Sequence, residues 1–297
     1  MMILKDALSS CQSRVNSFLS DYMKNLPEVS PVLREAMTYG VLLGGKRVRP
    51  FLVYTTAELL GGDLKVADAP AAAIECIHAY SLIHDDLPAM DNDELRRGHP
   101  TVHVKFGEAQ AILAGDALQS QAYEILAHAE MPENLLKNQV KMLAVLSSGA
   151  GYQGMCGGQE IDLDSEGRLV SQEELEKLHR HKTGALIESA VHLGTLCVPD
   201  VPVSVRAALM EYSRAIGLAF QVWDDVLDII SDTETLGKPQ GSDIAENKST
   251  YPRLMGLENA KKYASDLADR AVAVLEAVPG DASLLKLFAR YIVERDH

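Results

Sequence analysis

Apolar residues recur at three- and four-residue intervals over four long stretches of the chain, the spacing of one helical face. In PAAAIECIHAYSLIH (70–84), Ile74, Ile77 and Ser81 keep this register, with Ala73 and Tyr80 beside them. Pro70, following Asp68 and Ala69, is expected to open that helix. Pro88 is expected to end it, because proline disfavours the α conformation at Leu87 and brings no donor of its own. Residues 107–129, 172–194 and 204–231 predict three further long helices. Alternating β-branched runs are scarce, so no strand is predicted. The expected loops are short: GGDLK near 61, GGQEIDLDSEGR near 157, VPDVPVS near 198, and TETLGKPQGSD after the last long helix. No linker divides the chain. The expectation is one all-α domain over residues 1–297, a bundle of long helices.

Composition narrows the function. With 47% hydrophobic residues the chain can bury a large core. Its 28 basic against 42 acidic residues give a net charge of −14. Nucleic acids and anionic membrane surfaces select for Lys/Arg patches, so the chain is a poor candidate for either partner. An anionic substrate would need a cation as mediator. Cys11, Cys76, Cys156 and Cys197 lie far apart with no CxxC pair, which excludes zinc-ribbon and redox spacings and suits a reducing cytosol. Lys5, Asp6 and Arg14 interrupt the first residues, unlike a signal peptide. No uncharged apolar run reaches the roughly 18 residues of a membrane span. A soluble, cytoplasmic protein is expected.

The candidate chemistry lies in two acidic clusters. HDDLPAMDNDELRRG places Asp85, Asp86, Asp91, Asp93 and Glu94 beside Arg96 and Arg97. FQVWDDVLDII places Asp224, Asp225 and Asp228 in an apolar helical stretch, with Asp224 and Asp228 one turn apart. One such cluster alone reads most often as a solvated acidic face. Two, each at the end of a long apolar helix, point to a hard divalent cation such as Mg2+, which binds one or two carboxylates together with phosphate oxygens. Basic residues complete the picture. LLGGKRVRP sets Lys46, Arg47 and Arg49 directly after Gly44 and Gly45, as a metal-free phosphate cradle or an ordinary helix C-cap. RHKTGAL offers Lys182 and Thr183, and GKPQGSD and KSTYP offer Lys238 and Lys248. The clusters and basic residues together describe two anion sites, one bridged by metal and one purely basic.

With these motifs in this order, the whole chain resembles the trans-isoprenyl diphosphate synthases, and within them the bacterial farnesyl diphosphate synthases. The resemblance rests on GGKRVRP, HAYSLIHDDLPAMDNDELRRG, GGQEIDLD, HKTGAL, FQVWDDVLD, GKPQGSD and KSTYP. It implies an all-α bundle around a central cavity and a homodimer. It also implies Mg2+, three ions with substrate bound, held by Asp85, Asp91 and Asp224, with Asp86, Asp225 and Asp228 as ligands or supports. Arg96, Lys182, Lys238 and Lys248 would hold the allylic diphosphate, and Lys46, Arg49, His78 and Arg97 the isopentenyl diphosphate. Lys182, Thr183, Gln221 and Lys238 would assist ionisation and stabilise the cation. Tyr80, about 7–8 Å below Asp85 at 1.5 Å per residue, would floor the pocket at a farnesyl product, with the small Ser81 beside it. Geranyl and geranylgeranyl products remain alternatives. Asn92 stands where many relatives carry Asp, and Trp223 fills a variable slot, either narrowing the cavity or packing outward.

Rival readings rest on fewer residues. Glu75-x-x-His78 and Glu176-x-x-His179 match the ExxH of di-iron bundles. Such a site also needs a Glu on each of two other helices. His84-Asp85 matches a metal phosphohydrolase, which needs more upstream histidines than His78. A type I terpene cyclase would have no use for GGKRVRP, and two intact aspartate clusters argue against a non-catalytic regulatory subunit.

Overall fold

The computed structural model describes residues 2–230 and 249–295. Fourteen α-helices are found among them: α1 Met2–Asn25, α2 Pro31–Leu42, α3 Val48–Leu59, α4 Leu64–Asp85, α5 Val102–Phe106, α6 Glu108–Ala127, α7 Leu136–Ala150, α8 Met155–Ser165, α9 Gln172–His179, α10 Ala185–Leu196, α11 Val203–Ile230, α12 Tyr251–Met255, α13 Leu257–Val274 and α14 Ser283–Glu294. One hydrophobic core runs through the bundle. The all-α expectation holds, and none of these helices is long and apolar enough to cross a membrane.

α4 is the central element. Ala71, Ala72, Ala73, Ile74, Cys76, Ile77, Ala79, Tyr80 and Ile83 are all buried, so it is apolar nearly all round. Its alanines let α3 and α6 approach closely from different sides. The helix does not open at Pro70. Asp63 caps it, accepting from the Lys65 N–H at 2.9 Å, and Pro70 sits inside it. Asp68, part of that expected start signal, instead accepts hydrogen bonds from Arg14 (2.5 and 2.7 Å) and the Tyr54 hydroxyl (2.8 Å).

Three further expectations need correction. GGQEIDLD forms helix α8 and is not a loop. Gly158 is present for close approach, since a Cβ there would lie 2.1 Å from the Lys182 backbone nitrogen. The stretch 172–194 is not one α-helix, because a π-helical turn, Arg180–Gly184, separates α9 from α10. A strand pair also exists: Leu95 faces Pro100 and Arg96 faces His99. These strands, β1 and β2, span two residues each, too short to leave an alternating pattern. Arg97 and Gly98, at φ 54° and 75°, make the tight turn between them.

The fold also reassigns Arg47. Within the basic run it reads as part of a phosphate cradle, but its side chain turns inward. It meets Glu75 Oε1 at 2.6 Å and donates to Asn16 Oδ1 (2.9 Å) and the Val41 carbonyl (2.7 Å). Arg47 and Glu75 are 4% and 2% exposed. Removing one member strands a buried charge, whereas removing both does not. Arg47→Met is therefore expected to destabilise the protein by about 3–5 kcal/mol in chemical denaturation, and Arg47→Met/Glu75→Leu to recover most of that loss.

Candidate active site

Of the residues expected to hold isopentenyl diphosphate, all four converge. Lys46, Arg49, His78 and Arg97 line one cavity of about 780 Å³, together with Thr183, Gln221 and Asp224. Lys46 is exposed at the rim. Burial lowers the Arg49 pKa, and burial followed by the Arg47 charge lowers that of Arg97. Both guanidiniums are therefore short of anionic company, and Arg49 Nε has no hydrogen-bond partner. Glu75 cannot neutralise them fully, because Arg47 already holds it. His78 is pushed well below the usual imidazole range, by burial first and then by the arginines around it, so it is neutral and can donate one hydrogen bond. The cavity favours an anion.

The two glycines end α2 and also shape this cavity. Gly45, at φ 116°, lies so close to Arg97 that a Cβ would sit 2.6 Å from the guanidinium carbon. Arg97 Nη1 donates to the Gly44 carbonyl, and Gln12 holds the Gly45 carbonyl at 2.8 Å. Gly45→Ala is expected to push Arg97 aside and weaken pyrophosphate binding in EDTA by about tenfold, roughly 1.4 kcal/mol, by calorimetry. Unchanged affinity would show that Arg97 does not hold the anion.

The first acidic cluster closes α4. Asp85 is the last residue of that helix, and its carbonyl accepts from the Asp91 N–H at 2.8 Å, which folds the motif back. Burial raises the Asp85 pKa to about 6, with Lys182 opposing and Asp91 adding to the rise. Asp86 is buried and taken by the Arg96 fork at 2.5, 2.9 and 3.0 Å. Arg96 thus comes to the site already paired. Asp91 is exposed. Asn92 takes a left-handed conformation at φ 53°, which Asn tolerates better than most residues, so its place is a backbone one.

On α11 the three aspartates diverge. Asp224 faces the basic cavity and pairs with Arg295 at 2.5 Å. Asp225 is buried, accepting from the Tyr251 N–H at 3.0 Å and from Gln221 at 3.4 Å. Asp228 is also buried. Trp223 packs away from the cavity, its Nε1 donating to the Arg295 carbonyl at 3.0 Å.

Lys182 joins the two halves. It lines one cavity with Asp85 and another with Asp225 and Gln221. Its Nζ lies 2.5 Å from Asp162 Oδ2. Asp162 is a positioning partner the sequence reading missed, although QEIDLD stood beside the glycines. Thr183 Oγ1 donates to Gln221 Oε1 at 3.1 Å, so this expected pair is in contact. Lys238 and Lys248 lie outside the described residues. The carboxylates are hard oxygen donors in numbers that fit a divalent cation. Among the described residues no three metal-binding side chains close on a single point, so an ion here would complete its shell with ligand or water oxygens.

Below Asp85 runs a second cavity of about 400 Å³, lined by Tyr80, Ser81, Met155, Cys156, Leu163 and Thr183. Tyr80 is 5% exposed and its hydroxyl is 3.5 Å from Cys156 Sγ. Ser81 turns its hydroxyl back to the His78 carbonyl.

The di-iron reading fails on these contacts. Glu75 belongs to Arg47, and Glu176 accepts from Arg180 (3.1 Å) and the Tyr263 hydroxyl (2.9 Å). His179 is buried against Tyr251, and neither ring nitrogen has a hydrogen-bond partner. Burial pushes its pKa down to about 4. Between pH 6.5 and 4 the unfolded chain therefore binds a proton that the native state refuses, and stability falls as pH falls through that window. His179→Phe is expected to flatten the pH dependence of the unfolding midpoint there, removing at most about 3 kcal/mol of change.

Comparisons with known proteins agree with this geometry. Residues 30–278 match the model of the polyprenyl synthetase family. The farnesyl diphosphate synthase of Escherichia coli (strain K12) is 54% identical over 292 residues, covering 97% of this chain and 98% of that one. A crystal structure of an FPP/GFPP synthase from Zymomonas mobilis superposes with a TM-score of 0.87 at 38% identity, covering 98% of this chain and 99% of that chain. The geranylgeranyl pyrophosphate synthetase of Pyrococcus horikoshii gives 0.87 at 36% identity, over 98% and 99%. This all-α chain, matched over most of its length by the family model, belongs to the polyprenyl synthetase family.

Proposed function

We propose that the protein is a prenyltransferase that condenses isopentenyl diphosphate head-to-tail with dimethylallyl diphosphate and then geranyl diphosphate, giving farnesyl diphosphate. The observation that carries this reading is the pairing of two cavities of opposite character. The cavity of arginines and the cavity under Asp85 share Arg49, His78 and Thr183 in their walls. Two anionic substrates could therefore lie with their carbon chains in contact. Relatives bearing the farnesyl diphosphate synthase name over nearly the full length support the same product.

Asp85, Asp91 and Asp224 would hold Mg2+, three ions with substrate bound, and Asp86, Asp225 and Asp228 would support them. Held there, the metal would supply Lewis acidity and positive charge toward the departing diphosphate. Lys182 and Arg96 add fixed positive charge on the same side, as would Lys238 and Lys248. Asp162 holds the Lys182 ammonium in place, so little reorganisation is needed as charge develops. The Thr183 hydroxyl donates its hydrogen bond to Gln221 Oε1, which leaves the hydroxyl's oxygen lone pairs for an allylic cation. Arg49, Arg97, Lys46 and neutral His78 anchor isopentenyl diphosphate with its double bond toward that cation. The proton lost after bond formation goes to the departing diphosphate. Tyr80 floors the tail cavity at the farnesyl length.

The protein is expected to act as a cytoplasmic homodimer. Ile112 and Leu113 on α6 and Val140 on α7 are exposed apolar side chains in keeping with a subunit interface. Incubation with isopentenyl and geranyl diphosphates should give farnesyl diphosphate with Mg2+ and none with EDTA, sized by mass spectrometry. Asp85→Asn and Asp224→Asn should each lower kcat by about 10²–10³-fold, and Tyr80→Ala should lengthen the product. Absence of condensation with either allylic substrate would overturn the reading. Geranyl or geranylgeranyl diphosphate as the main product would keep the chemistry and refute the floor.

A further inference from the structure

The tail cavity is bounded by two helices that descend together from the charged region. α4 carries Asp85 at the mouth and Tyr80 five residues deeper. α8 carries Asp162, which holds Lys182 of the cavity wall, and Cys156 six residues back, about 9 Å along the axis. Two contacts tie these walls at two levels. At the mouth Lys182 lies 2.5 Å from Asp162 and acts electrostatically on Asp85. At depth the Tyr80 hydroxyl meets Cys156 Sγ at 3.5 Å. Met155, Cys156, Gln159, Glu160 and Leu163 form one stripe of α8 along the cavity.

We propose that Cys156 determines product length jointly with Tyr80, forming the far half of the floor. This inference rests on the prenyl-elongation reading. A tyrosine ring fixed to one helix blocks a growing chain only if the opposite wall meets it. Here the opposite wall is a small thiol in direct contact with the ring's hydroxyl. On the α4 side, Ser81 is small and its hydroxyl is folded onto its own helix. The gap beside Tyr80 is therefore set from α8, by the volume of residue 156. Cys156 is exposed, so a larger side chain there meets open cavity before it meets packed core.

The test measures product ratios from dimethylallyl and isopentenyl diphosphates for wild type, Cys156→Ala, Cys156→Phe, Tyr80→Ala and Tyr80→Ala/Cys156→Phe. Cys156→Phe should raise the ratio of geranyl to farnesyl diphosphate about tenfold. Cys156→Ala should add geranylgeranyl diphosphate. The double variant should return the long products of Tyr80→Ala toward farnesyl length, a rescue that a merely structural cysteine would not produce. A folded, active Cys156→Phe with the wild-type ratio, or a double variant identical to Tyr80→Ala, would overturn the proposal. Cys156→Leu carries the same test if the phenylalanine variant does not fold. Wild-type protein that forms no product would instead overturn the elongation reading, and this proposal with it.

Discussion

The buried pair of Arg47 and Glu75 holds the site's architecture in place. Arg47 ties α1, the end of α2 and α4 together through Asn16, the Val41 carbonyl and Glu75. α4 in turn carries His78, Tyr80, Ser81 and Asp85 within about two turns. The pair also has an electrostatic effect. Glu75 lines the same cavity as Arg49 and Arg97, and it would quench their charge if it were not already engaged. A single ion pair thus fixes the basic loop against the helix and preserves the basic cavity's appetite for anions. A buried pair is weak evidence for stability by itself. Its worth here is registry, since it fixes where the glycine loop meets α4.

The same separation of charge resolves the conflict between a net charge of −14 and anionic ligands. Positive groups are concentrated where acidic ones are absent or already paired. Where carboxylates dominate, burial works against their ionisation, as the raised pKa of Asp85 shows. A bound cation would relieve that penalty, with its remaining oxygens supplied by an anion or water. The bundle positions the basic cavity and the cavity under Asp85 so that they share walls.

Much of this was legible because the informative residues are out of place. Aspartates inside an apolar helix and a basic run after two glycines are conspicuous against the helical pattern. What was hidden involved residues with two possible uses. Arg47 looks like its neighbours in sequence, and only the backbone, left-handed at that residue, turns it inward. Glycines 157 and 158 look like a loop, but in α8 Gly158 allows another backbone to pass close by. Asp162 is one acidic residue among many until Lys182 is placed against it. Pro70 misleads because a proline within a helix is tolerated where burial on all sides outweighs one lost hydrogen bond. The hairpin at Arg97 is too short for any periodicity to reveal.

The wide turn at Arg180–Gly184 acts as a phase adjuster in the chain. A π-turn is equivalent to one residue inserted into an α-helix. Deleting a residue there would restore a continuous helix from α9 into α10, with better local hydrogen bonding. It would also rotate everything beyond the deletion by about 100° about the axis. Either the ammonium of Lys182 would leave Asp162, or the apolar face of α10 would leave α3 and α7. The irregular turn lets two faces with incompatible periodicities occupy one rod. Change in this segment can therefore proceed by substitution, but not by loss or gain of a single residue.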